Sequence, residues 1–208
     1  MGAVATILTE YVRTLDIAVD AVLATALLFA IRRETLDFLR GTTSEEYAAA
    51  EYLHDDTDQE LLRRLSRPSV TGHTIDAIAT AITNRETKAS VLISHVGRTS
   101  ERDAIPQAAD YLETLEGVDT VIVFGIVNEA IHLSARSPDP RIHVGDVLNE
   151  TFGDVGAAGG HHDVAGGEIP LGIFADYTTN DGQLLAIVEE VITGRLLAKL
   201  DLDTDSDP

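Results

Sequence analysis

The stretch "GVDTVIVFGIVNEAIHLSARS" (residues 117–137) decides the fold. Its first part, "DTVIVFGIV" (119–127), is an unbroken apolar run, the pattern of a strand covered on both faces. Its second part, "AIHLSARS" (130–137), alternates instead. Ile131, Leu133 and Ala135 take one side, and His132, Ser134 and Arg136 take the other. Asn128 and Glu129 between them suit a turn. Two neighbouring strands follow, the second with a polar face.

Working outward, "ASVLISHV" (89–96) has strand composition. "SERD" (100–103) reads as the cap of a helix with Ile105, Ala108, Ala109, Leu112 and Leu115 on one face, stopped by Gly117. Downstream, a short helix runs from Val144 to about Thr151 and ends at Gly153. "GAAGGHHDVAGG" (156–167) reads as a glycine loop, "EIPLGIFAD" (168–176) as a strand, and residues 181–200 as a last helix. The acidic tail, 201–208, has the composition of disorder. Residues 71–200 are therefore expected to form an α/β domain, a mixed sheet flanked by helices.

Residues 1–70 differ in kind. Val4, Ile7, Leu8, Val12 and Leu15 recur at helical spacing, and residues 17–31 read as an apolar helix too short to span a bilayer. "TSEE" (43–46) and "TDQE" (57–60) have the form of capping boxes. The region is expected to be all-helical, with its apolar helices exposing a patch or docking on the second half. The cut falls near residues 67–73, where Pro68 and Gly72 break the pattern.

Composition narrows the classes. The chain has 35 acidic and 15 basic residues, a net charge of −20, and only two lysines, Lys88 and Lys199. Such a surface suits a halophilic, cytoplasmic protein and is badly equipped for the many phosphate contacts of long duplexes. With no cysteine there is no disulfide framework and no thiolate metal site.

The glycine loop carries the chemistry. Gly159 and Gly160 let backbone amides approach a ligand, consecutive amides in a turn form an anion nest, and His161 adds a side-chain donor. Arg136 supplies a fork that matches phosphate oxygens, and Ser134 shares its strand face. Two other readings stay open. In one, His161, His162 and Asp163 bind a metal completed by His132 or His143. In the other, the loop is a structural turn with exposed histidines.

"GAAGGHHDVAGGEIPLG" resembles the Gly-Gly-His signature of the DHH-associated C-terminal domain of RecJ-like phosphoesterases and oligoribonucleases. "GVDTVIVFGIVNEAIHLSARS" resembles that domain's strand pair, with Ser-x-Arg-Ser at Ser134–Ser137. "VGDVLNETFG" and "RDAIPQAADYLETLEGV" are similar to its helices. The resemblance covers about residues 86–198. It implies that Gly159, Gly160 and His161 contact substrate and that Arg136 contacts phosphate.

The family's catalytic half holds two divalent metals, usually manganese, on motifs that include Asp-His-His. This chain has no Asp-His-His; "HDD" (54–56) is in the wrong order. Residues 1–70 resemble the segment after that motif, a helical remnant of the catalytic domain. Glu34 stands at the place of the last metal-ligating aspartate, and its plainer reading is a solvated carboxylate. The resemblance thus implies the nucleotide-binding portion of a phosphoesterase of haloarchaeal type, not hydrolytic alone. Its ligand would be a short single-stranded nucleic acid or a nucleotide, with no membrane role, and it would pair with itself or with a missing catalytic half. The alternatives are a Mn-dependent exonuclease completed by the metal-binding half, and a regulatory or structural protein without ligand.

Overall fold

The computed structural model describes residues 2–66, 69–175 and 181–202. The chain divides into two units, Met1–Ser69 and Val70–Pro208. From Asp203 onward the acidic tail lies outside the described residues.

The first unit is helical: α1 (Val4–Thr14), α2 (Ala21–Glu34), α3 (Ser44–His54) and α4 (Gln59–Ser66). Ala24, Leu27, Leu28 and Ile31 of α2 form its core with Leu53 and Leu62. The apolar run is cut short at its start, because Asp20 caps α2 by accepting from the Leu23 amide at 2.8 Å. Thr43 and Glu46 form the expected capping box on α3. The "TDQE" cap falls one residue later than its pattern implies. Asp58 accepts from the Glu60 and Leu61 amides, while the buried Thr57 hydroxyl turns back to the Leu53 carbonyl. On α1, Ala5, Thr6 and Thr9 are the buried residues, and Val4, Leu8 and Tyr11 are exposed, as is Leu15 just beyond its end. The helix therefore turns its small residues inward and its large apolar ones out.

The second unit opens with α5 (Gly72–Thr83), capped by Thr71, and carries a six-stranded sheet. Its strands are β1 (Glu86–Lys88), β2 (Val91–Arg98), β3 (Thr120–Val127), β4 (Ala130–Arg136), β5 (Ala157–Gly160) and β6 (Val164–Pro170), in the order β1-β2-β3-β4-β6-β5. Only β2 and β3 pair in parallel, across α6 (Ala104–Leu112), so the sheet is mixed. α7 (Val144–Phe152) and α8 (Asp181–Lys199) complete the unit. No helix among the described residues is long and apolar enough to cross a membrane.

β1, a three-residue exposed strand with no apolar signal, adds to the expected elements, and two expectations shift. Asp103 precedes α6 without a side-chain cap; Glu101 of "SERD" instead accepts from Thr71 and Thr74. Leu115 lies beyond the end of α6 and is exposed.

The alternation of β4 places the site. Ile131, Leu133 and Ala135 join Ala165 and Ile169 of β6 on the face covered by α7 and α8, with Val144, Leu148, Phe152, Leu184 and Val188. The opposite face of β2 and β3 is covered by α5 and α6 through Ala81, Ile105, Ala108, Val121 and Val123. Across β6 and β5 that second face stays open: Val164, Gly166, Glu168 and Ala157 are exposed.

Candidate functional site

The glycine segment is a β-hairpin. β5 pairs antiparallel with β6, matching Gly159 with Gly166 and Gly160 with Ala165. The His161 N–H to the Val164 carbonyl, at 2.8 Å, continues that ladder. The strand-like reading of "EIPLGIFAD" therefore starts too late. β6 begins at Val164, and Gly172–Phe174 form a 3-10 turn. A run of five glycines and small residues hides strand propensity, and pairing rather than side-chain preference sets the structure here.

The consecutive-amide nest expected in a turn does not form. In an antiparallel strand successive N–H groups point to opposite sides, and that of His161 is taken by Val164. The two signature glycines do different work. Gly160 lies on the α7 side, where a Cβ would sit 2.4 Å from the Val164 carbonyl oxygen. Gly159, at φ +156°, occupies backbone space that belongs essentially to glycine, and a Cβ there would meet nothing within 4 Å. It leaves the open face bare.

Register brings the predicted residues together. Arg136 pairs with Val164, and Val164 stands opposite His161; Ser134 pairs with Gly166, and Gly166 with Gly159. Directly opposed residues share a face, so Arg136, Ser134, Gly159 and His161 all belong to the second one, which is open at His161 but shielded by α6 at Ser134 and Arg136. Arg136 and His161 are two strands apart, about 10 Å between backbones. His161 is exposed. The third row of the same face is His132, Glu168 and Ala157.

Arg136 is held from two sides. Its Nε donates to Asp110 Oδ1 at 2.7 Å, and one terminal nitrogen donates to Ser134 Oγ and to the Ala135 carbonyl, both at 2.9 Å. Glu113 is close enough to feel Arg136, Asp110 and Asp163, and burial pushes its carboxyl above the usual range. Arg136 thus arrives oriented but partly neutralised, which sequence had no means to show.

Beside this face lies a cavity of about 490 Å³, walled by Arg102, Ile105, His132, Ser134, Gly166 and Glu168. His132 is 9% exposed, and its buried Nδ1 has no hydrogen-bond partner among the described residues. Glu168 Oε2 is 3.7 Å from it. Burial first, and Arg102 second, push the imidazole below its ordinary value.

The metal readings find little to build on. The His162 ring lies edge-on to His143, with centroids 5.1 Å apart, and its Nε2 donates to the Pro140 carbonyl at 3.1 Å. His143 Nδ1 is spent accepting from the Asp146 amide at 3.0 Å, the cap of α7. Glu34 is exposed at the end of α2. No group of three or more His, Asp or Glu able to hold a metal forms among the described residues. They do not fit the family's manganese pair.

The DHHA1 domain family matches residues 88–194, the segment that contains this face. The chain belongs to the DHHA1 family. It is 40% identical over 198 residues to an uncharacterized protein of Methanocaldococcus jannaschii, a match that covers 95% of this chain and 40% of that protein. The chain therefore spans well under half the length of this curated relative. Its fold is similar to the crystal structure of an exopolyphosphatase-related protein from Bacteroides fragilis. That match has a TM-score of 0.71 at 14% identity and covers 98% of this chain and 59% of that one. The DHHA1 match and the 40% identical relative show the family, and the likeness to the exopolyphosphatase-related protein shows the fold.

Proposed function

We propose that this DHHA1 chain is the nucleotide-holding portion of a DHH-family phosphoesterase and does not hydrolyse its ligand alone. The ligand is a short single-stranded oligonucleotide, or a nucleoside phosphate, whose terminal phosphate sits between Arg136 and His161. The observation that carries this reading is the common sheet face of Ser134, Arg136, Gly159 and His161, with the Arg136 guanidinium at its edge beside Asp110.

The chemistry follows from that face. A tetrahedral phosphate takes charge-assisted hydrogen bonds from the guanidinium that Asp110 and Ser134 orient, and a further one from the exposed His161 ring. The bare Gly159–Gly166 row lets a sugar or ring lie flat on the sheet. At net −20, binding through a few local contacts is favoured over long-range attraction. Mn-dependent turnover of short oligonucleotides by this chain, at the level of a complete enzyme, would sink the non-hydrolytic claim.

A second reading, an active Mn-dependent phosphoesterase completed by a metal-binding half, is favoured by one observation: the chain accounts for only 40% of its curated relative. Adding such a half and recovering oligonucleotide hydrolysis tests it.

A further inference from the structure

The cavity beside the phosphate face has a polarity of its own. Its walls carry Arg102, Asp103 and Glu168, one cation against two carboxylates, together with the His132 ring and the Ser134 hydroxyl. A phosphate is repelled there. A neutral group rich in hydrogen-bond donors is attracted, because a carboxylate only accepts.

Position supports the same assignment. The His132–Glu168–Ala157 row lies four residues along the strands from the Arg136–Val164–His161 row, about 13 Å at strand rise. The Ser134–Gly166–Gly159 row lies between them, without a side chain on β6 or β5. A nucleoside monophosphate laid along this face puts its phosphate at one end, its sugar over the glycines and its base in the cavity. The buried, partnerless His132 Nδ1 lies at that far end.

We infer that the cavity selects guanine, with Glu168 accepting from the base's N1–H and N2 amino group and Arg102 donating to O6 and N7. Guanine is the base that offers two adjacent donors to a carboxylate. Adenine and cytosine each set a ring-nitrogen acceptor beside their amino group, and uracil flanks one N–H with two carbonyls. Each of these turns a lone pair toward Glu168. The guanidinium–O6/N7 pairing is the same fork that reads guanine elsewhere. The His132 ring lines the same cavity beside Glu168. Ser134 accepts from Arg136 and keeps its own proton to donate.

This inference rests on the nucleotide reading above, and the test separates the two. Binding of GMP, AMP, CMP and UMP to the whole chain is measured by calorimetry, for the natural protein and for Glu168→Gln. GMP is expected to bind about tenfold more tightly than the other three. Glu168→Gln is expected to bring the GMP-to-AMP ratio to about one, since the amide can no longer accept from both donors. Equal binding of all four nucleotides overturns base selection and leaves the phosphate-face reading standing. A preference for GMP that survives Glu168→Gln overturns the assignment to this carboxylate. Failure of every nucleotide to bind overturns both readings.

Discussion

The Gly145 amide donates to the His161 carbonyl at 3.1 Å, and the neighbouring Val144 amide donates to that of His162 at 3.0 Å. The first turn of α7 thus holds the hairpin turn in place. A Cβ on Gly145 would lie 2.5 Å from the Gly160 carbonyl oxygen and 2.9 Å from that of His161. Backbone cannot yield as a flexible side chain does. Gly145→Ala is expected to destabilise the second unit by about 2 kcal/mol or more. Denaturant melts check it; an unchanged midpoint contradicts the close packing.

Arg136 gives a binding prediction. Arg136→Ala is expected to weaken binding of a 5′-phosphorylated nucleotide by about 1.5–3 kcal/mol, the worth of hydrogen bonds to a charged group. Binding of the matching nucleoside without phosphate should barely change. Equal losses for both ligands, measured by titration calorimetry, would show that Arg136 acts on the fold and not on the phosphate.

The end of α2 stores strain. Leu36, Asp37 and Phe38 have φ of 47°, 55° and 68°, three successive non-glycine residues in left-handed space. They are held by Thr35, whose hydroxyl accepts from the Phe38 amide, by Arg32 on Asp37, and by Phe38 stacked on Tyr47 at 5.1 Å. Leu36 is half exposed and has the least to lose. Leu36→Gly is expected to stabilise the first unit by about 0.5–1 kcal/mol. A lower melting temperature refutes the strain.

Glu46 sets an acid limit on the same unit. The Thr43 hydroxyl above all, then the Gly2 and Thr43 amides, hold its carboxyl at about 2 against an ordinary 4.5. A depressed carboxyl contributes stability above its unfolded value and loses it as pH falls toward the folded one. Glu46→Gln should therefore melt lower than the natural chain at neutral pH, with the gap closing between pH 4.5 and about 2. A gap independent of pH would mean that the charge is not what matters.

Much of this was legible in the sequence, for identifiable reasons. Period-two alternation in residues 130–137 placed His132, Ser134 and Arg136 on one face, and the unbroken apolar run of β3 marked it as covered on both sides. Thr43 and Glu46 announced their helix. What stayed hidden depends on pairing between distant segments. The hairpin of β5 and β6 lies in glycine, which carries no strand preference. Glu168 reaches His132 only through register, and Asp110 reaches Arg136 only because α6 packs beside β4. The division of labour between Gly159 and Gly160 likewise follows from which sheet face each occupies.

Holding a nucleotide by its phosphate is the role proposed for the sheet face of Arg136 and His161. The most direct measurement is calorimetric titration of the chain with a 5′-phosphorylated dinucleotide and with the same dinucleotide lacking that phosphate. The account predicts measurable binding of the first, at least about tenfold tighter than the second, with the difference abolished by Arg136→Ala. Equal affinity for the two ligands, or binding of neither, would contradict it.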